Sequence, residues 1–329
     1  MTIDLGALQT EARNPDTLDI DVISTHEMVK RIHKEDLVAA QAVDACLDVI
    51  AEFIDVVAPR IQAGGRLVYL GAGTSGRLGV LDASELPPTY SMPADKCIGL
   101  IAGGDRAIRN PVEGAEDSEL AGENALKEIG LTKDDTVVGI ASSGRTPYVL
   151  GALAYAKSIG CVTGGITCAR PSEIEIQGNT DYVMAPVTGP EVVTGSTRMK
   201  AGTATKMVLN MISTGIMIRI GKTASNLMVD VKVSNYKLKL RARRIIRTLC
   251  GSSFYVVKDG QVTGKPIEVD SSPDGDKLID DTIAACRQSV KLAIVVARTG
   301  LSVDQAALDL AEFDGVLSKV LERHNAALF

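Results

Sequence analysis

A chain of 329 residues with 45% apolar and 23% charged side chains has the composition of a globular protein and the length for one main domain with an appendage. Its net charge of −6 and its 3% aromatic content, with no Trp, exclude a nucleic-acid partner, because duplexes demand clustered Lys and Arg and single strands demand stacking rings. No apolar run approaches the roughly 18 residues of a membrane span, so no membrane partner is expected.

In chain order, Ser24 and Glu27 form an S-x-x-E capping box that predicts a short helix to about His33. A longer helix is expected over 35–62, where Val43, Leu47, Ile50, Ile54, Val57 and Ile61 recur at steps of four and three until Gly64 and Gly65 stop it. Short Val- and Ile-rich runs then alternate with helical text, at 66–70, 97–102, 135–141, 161–168 and 181–185. Runs apolar throughout are the mark of parallel strands covered on both faces, so the predicted fold class is α/β, a doubly wound three-layer sandwich. A Met-rich helix over 195–221 follows, and another is expected from near Ala224 into the basic run 237–247, which reads as a solvated helix face. Polar text over 251–276 reads as a linker or excursion, with a hairpin signal at Lys258-Asp259-Gly260-Gln261. About three amphipathic helices over 277–321 complete a small helical module. The expected division is an N-terminal helical segment over 1–54, a ligand-binding α/β domain over 55–225, and a C-terminal helical region over 226–329 that contains the polar segment 252–274.

The six cysteines lack the close spacing of a zinc knuckle or redox motif, and the three histidines lie far from any ligand cluster, so no metal is expected. The first twenty residues are polar and acidic, and a reduced, cytoplasmic protein is the expectation.

Gly71-Ala72-Gly73-Thr74-Ser75-Gly76 follows a predicted strand and opens a helix, which satisfies the G-x-G-x-x-G pattern. A dinucleotide site also needs an acidic residue about 20 positions on, whereas Pro87-Pro88-Thr89-Tyr90-Ser91-Met92-Pro93 occupies that stretch, so no nicotinamide cofactor is expected. Ser75-Gly76-Arg77 recurs as Ser143-Gly144-Arg145, again between a strand and a helix. Thr74, Ser75, Ser142, Ser143 and Thr146 put five hydroxyls on the two loops, with Thr146 and Pro147 placed as N-cap and first helical residue. A single such loop is explained by helix capping. Two matched loops at the C-terminal ends of parallel strands favour a bound phosphate.

Four segments then act together: Gly71 to Glu85 with Pro87-Pro88-Thr89, Val112 to Ser118, Ala141 to Pro147, and Val193 to Thr203. Their combination resembles N-acetylmuramic acid 6-phosphate etherases, from about residue 14 to 250 and again in the tail. The resemblance implies a sugar isomerase (SIS) type sandwich, a homodimer that assembles the active site, and a small sugar phosphate as ligand. It implies removal of D-lactate from C3 by elimination from the open-chain aldehyde and addition of water, leaving N-acetylglucosamine 6-phosphate, with no cofactor. Glu85 is implied as the acid and Glu116 as the base. Gly73, Thr74, Ser75, Gly76, Arg77, Ser142, Ser143, Gly144, Arg145, Thr146, Ser196 and Lys200 are implied as phosphate or substrate contacts.

The residues by themselves say less about these roles. A helix ending before Pro87 would put Glu85 in its last turn, where the dipole favours the protonated form, but without the family motif a surface glutamate ahead of a helix stop is the favoured reading. Glu116 stands among Glu113, Asp117 and Glu119, an ordinary acidic helix start. In Thr194 to Thr203, Ser196, Thr197, Arg198 and Lys200 open another helix, and a cation there meets either the phosphate, the lactyl carboxylate or a neighbouring acid. Lys206 is a further candidate, and the stripe Met199, Met207, Met211, Met217 reads as core or dimer packing. The chain departs from the etherase pattern at 252–274 and at Leu86. Two rivals remain: a sugar-phosphate sensor related to the glucokinase regulatory protein, which has two such domains where one set of motifs occurs here, and a sugar-phosphate isomerase, which needs no acid at C3.

Overall fold

The computed structural model describes residues 9–231, 233 and 235–326. The chain divides into two compact units, one of residues 1–86 with 93–216 and one of 87–92 with 217–329.

The first unit opens with α1 (Thr25–Asp44) and α2 (Leu47–Gln62). The Ser24 side chain caps α1 by accepting the Glu27 amide, but the helix runs on past His33. The expected single helix over 35–62 is instead broken at 45–46, where the Cys46 amide turns back to the Val43 carbonyl at 2.8 Å. Val43, Ile50, Val57 and Ile61 are buried, whereas Leu47, at the break, is exposed. Five parallel strands follow: β1 (Leu67–Gly71), β2 (Cys97–Ile101), β3 (Thr136–Ile140), β4 (Val162–Ile166) and β5 (Tyr182–Met184), paired in the order β2-β1-β3-β4-β5. β2 to β5 lie within their predicted runs, and β1 runs one residue past its own, to Gly71. β1 and β3 are buried at every residue, as strands covered on both faces must be. Between the strands run α3 (Gly73–Tyr90), α4 (Asp105–Arg109), α5 (Glu119–Glu128), α6 (Pro147–Ser158) and α7 (Glu173–Ile176), and α8 (Lys200–Arg219) comes after β5. Asp135, just before β3, accepts the Arg66 backbone amide at 2.9 Å, its guanidinium at 2.7 Å and the Thr132 amide at 2.9 Å, joining the start of β1 to that of β3. The order reverses between β1 and β3: one continues outward to β2, the other to β4. Open α/β sheets bind ligands at this crevice, outside the carboxyl ends of the strands.

The second unit is helical with short two-stranded pieces. β6 (Thr223–Ala224) and β7 (Leu227–Met228) occupy the stretch where a helix was expected from Ala224, and the basic helix α9 (Tyr236–Cys250) begins only after them. On α9, Arg243 binds Asp276 and Asp280, Lys239 binds Asp280 and Arg247 binds Asp276, so much of the basic face is neutralised rather than merely solvated. β8 (Ser253–Phe254) pairs with β11 (Ile267–Glu268), and β9 (Val257–Lys258) pairs with β10 (Gln261–Val262). The turn predicted at Asp259-Gly260 is there, with φ of 52° and 77°, the double left-handed geometry of a tight hairpin. This polar segment is more than a linker, because Phe254, Val256, Val257 and Val269 enter the unit's core. Four helices, rather than about three, complete it: α10 (Pro273–Ala285), α11 (Val290–Thr299), α12 (Val303–Glu312) and α13 (Leu317–Arg323). α11 is not amphipathic, since every residue from Val290 to Ala297 is buried. The buried Lys291 ammonium reaches Asp230 at 3.2 Å and the Gly315 carbonyl at 3.0 Å.

Candidate active site at the sheet switch point

The two Ser-Gly-Arg loops leave neighbouring strands side by side, since Gly71 at the end of β1 is in register with Ile140 at the end of β3. The first loop turns at once into α3. Its first intrahelical bond runs from the Gly76 amide to the Ala72 carbonyl at 3.2 Å, so the amides of Gly73, Thr74 and Ser75 precede the helix's own ladder and are donors for an anion. A side chain at Gly76 would put its Cβ 2.6 Å from the Gly71 carbonyl oxygen and 2.6 Å from Ile101, so only glycine lets this helix start against the strand end.

The second loop works differently. Thr146 stands at the N-cap of α6 with Pro147 in the first turn, as the sequence indicated, yet its hydroxyl makes no capping bond. Pro147 has no N–H, the Tyr148 amide is spent on the Glu116 carbonyl at 3.0 Å, and the Val149 amide on the Thr146 carbonyl at 2.9 Å. The amides α6 would offer an anion are thus mostly consumed. What this loop presents is hydroxyls, from the half-buried Ser142 and Ser143 and from Thr146, together with Arg145. One guanidinium nitrogen of Arg145, Nη1, is buried with no hydrogen-bond partner among the described residues, the state of a cation awaiting an acceptor. Gly144 holds φ at 68°, and a Cβ there would lie 2.4 Å from the Ser172 Cβ.

The guanidinium of Arg77 is already held by backbone carbonyls. It donates to the carbonyls of Ala107 at 2.9 Å and Ile108 at 3.0 Å, which clamps α4 and shapes the loop that follows. Lys200 is likewise occupied: it is buried and ion-paired with the buried Glu35 of α1. Of the readings open for it, the neighbouring acid is the one realised in the structure. Ser196 lies in the half-buried turn before α8. That turn is organised by a residue the sequence reading missed, Glu191, which accepts the amides of Lys200 at 3.2 Å and Ala201 at 2.9 Å and so caps α8. Burial raises the Glu191 carboxyl above its ordinary value, with the two amides opposing the shift. Nothing in the local sequence distinguishes it from a surface glutamate, since its helix begins nine residues later. Lys206 is paired with the buried Asp82.

The two candidate carboxylates fare unequally. Glu116 sits just before Ser118, the N-cap of α5, and with Glu113, Gly73 and Arg77 lines a cleft of about 200 Å³ beside the first loop. Glu85 does not line that cleft. α3 passes through Pro87 and Pro88 and closes only at the Ser91 amide, which bonds the Pro87 carbonyl at 3.0 Å. Glu85 therefore lies short of the last turn, and the dipole argument for its protonation lapses. At 1.5 Å per residue it stands about 18 Å along the helix from Gly73. Leu86 is buried, so it faces the core and not a substrate.

Comparison with known proteins agrees with this architecture. The family model described as "Glucokinase regulatory protein N-terminal SIS domain" matches residues 49–157, which hold both loops and Glu116. Over nearly the whole chain the relatives are of another kind. The chain is 45% identical to an N-acetylmuramic acid 6-phosphate etherase of Caldanaerobacter subterraneus subsp. tengcongensis, over 98% of each protein. Proteins of the same name from Brucella anthropi and Salmonella typhi are 47% and 46% identical, over 98% and 97% of this chain and 97% and 100% of theirs. The chain belongs to the N-acetylmuramic acid 6-phosphate etherase family.

Proposed function

We propose that the protein is a carbon–oxygen lyase that cleaves the lactyl ether of N-acetylmuramic acid 6-phosphate, giving N-acetylglucosamine 6-phosphate and D-lactate. The observation that carries this reading is the end-to-end match to etherases at 45–47% identity, joined to two hydroxyl-bearing loops that leave the adjacent ends of β1 and β3. The phosphate sits against the first-turn amides of α3 and the hydroxyls of Thr74, Ser75, Ser142, Ser143 and Thr146, with Arg145 supplying charge. In the open-chain sugar, C2 is acidified by the C1 aldehyde. The Glu116 carboxylate takes the C2 proton, the electron pair forms the C2–C3 double bond, and the C3–O bond breaks as Glu85 protonates the departing lactate oxygen. Water then adds across the double bond, hydroxide to C3 and a proton to C2. Each step couples proton transfer to the breaking or forming of a C3–O bond, and oxidation states balance without a redox cofactor.

The 18 Å or so between Gly73 and Glu85 along one rigid helix exceeds what a sugar anchored at the loops can span. This supports a homodimer in which Glu85 of one protomer completes the site of the other. All six cysteines are buried free thiols, which supports a reducing, cytoplasmic setting. The test is release of D-lactate from N-acetylmuramic acid 6-phosphate by purified protein without added metal or nucleotide. Tight sugar-phosphate binding with no lactate would point instead to a sensor.

A further inference from the structure

We infer that Arg198 binds the lactyl carboxylate of the substrate, in an anion subsite separate from the phosphate loops; this rests on the etherase reading above. Such a substrate is anionic at two ends, with phosphate on C6 and a carboxylate on the C3 ether, and the two loops serve one of them. The cations near the crevice divide by what already holds them. Arg77 is spent on the carbonyls of Ala107 and Ile108, Lys200 is buried against Glu35, and Lys206 is paired with Asp82. Arg145 belongs to the second loop. Arg198 is exposed and, among the described residues, forms no ion pair.

Its position suits the second anion. Arg198 lines a cleft of about 360 Å³ together with Thr74, Leu78, Thr203, Met207 and Asn210. The cleft starts at the phosphate loop itself: Thr74 is both a loop hydroxyl and a wall of the cleft, and a Cβ on Gly202 of α8 would lie 3.6 Å from the Thr74 methyl. Leu78 and Met207 offer an apolar floor for the lactyl methyl group, and Thr203 and Asn210 offer polar partners beside it. Among the described residues, no carboxylate lines the cleft to repel an anion. A guanidinium presents two parallel N–H donors that match a carboxylate, which makes it selective for this group over a hydroxyl. After elimination and hydration the sugar product carries no carboxylate, so the subsite holds substrate and releases product.

Arg198→Met and Arg198→Lys are assayed on N-acetylmuramic acid 6-phosphate and on its lactyl methyl ester, with inhibition by N-acetylglucosamine 6-phosphate read in parallel. The expected result is a fall in kcat/KM of about ten- to a hundredfold for the acid with Arg198→Met, the loss of one charge-assisted contact, partly restored by Arg198→Lys. Turnover of the ester and inhibition by the product, both lacking the carboxylate, stay within about twofold of wild type. Equal losses on acid and ester, a parallel weakening of product inhibition, or no change on the acid would each overturn the assignment. Absence of lactate release by the wild-type protein would instead sink the etherase reading, and this inference with it.

Discussion

Glu116 and Glu85 share a chemistry but differ in what surrounds them. Glu116 shares a cleft with the first loop, so Glu116→Gln should abolish exchange of the C2 proton with solvent and lactate release together, each by about a hundredfold or more. Glu85→Gln should preserve C2 exchange, followed by deuterium incorporation, while lactate release falls by a similar factor. Full turnover by that variant would remove Glu85 from the mechanism. Lys200 invites the opposite expectation from the one its sequence neighbourhood suggests. Replacing it with Met leaves the Glu35 carboxylate buried and unpaired, so the loss should appear as about 3–5 kcal/mol of stability in a urea melt. Its motif position next to Arg198 made the two cations look interchangeable. Only the approach of α1, contributed from 165 residues away, separates them.

At the scale of elements, the site depends on strand ends staying in register and on loops that tolerate no side chain at two glycines. Gly144→Ala forces a left-handed φ on alanine and a contact with Ser172, and should cost about 1–3 kcal/mol, read from the thermal midpoint. The clasp from Asp135 to Arg66 and Thr132 holds β1 beside β3. Burial by itself would raise the Asp135 carboxyl, but the Arg66 guanidinium and the Thr132 amide outweigh it and hold it below its ordinary 3.8. A carboxylate with a lowered folded-state pKa stabilises above its unfolded value, and that contribution disappears as pH falls below about 4. Asp135→Asn should therefore lose about 3 kcal/mol at pH 7 and flatten the acid limb of the stability curve, measured by denaturant titration across pH 3–7. A limb as steep as in the wild type would assign acid sensitivity to other groups. The strands themselves were legible because short runs apolar on both faces belong to buried parallel sheets. The break at 45–46 was not, since the residues on either side keep the same helical spacing.

For the whole molecule, the proposed dimer, with Glu85 completing the partner's site, has a direct test. Equal mixing of Glu85→Gln and Glu116→Gln proteins, each inactive alone, should restore about a quarter of wild-type lactate release once subunits exchange, because each mixed dimer regains one intact site. No recovery would place both carboxylates in one chain. The amino-acid sequence by itself determined the strand runs, the paired loops and the family, because hydrophobic period, glycine placement and motif spacing are local properties of the chain. Tertiary structure alone decided which charges are free. Arg77, Arg145, Arg198, Lys200 and Lys206 look alike in the one-dimensional text. Carbonyls and carboxylates brought from distant segments neutralise three of them, and what is left for a ligand is whatever the fold has not already satisfied.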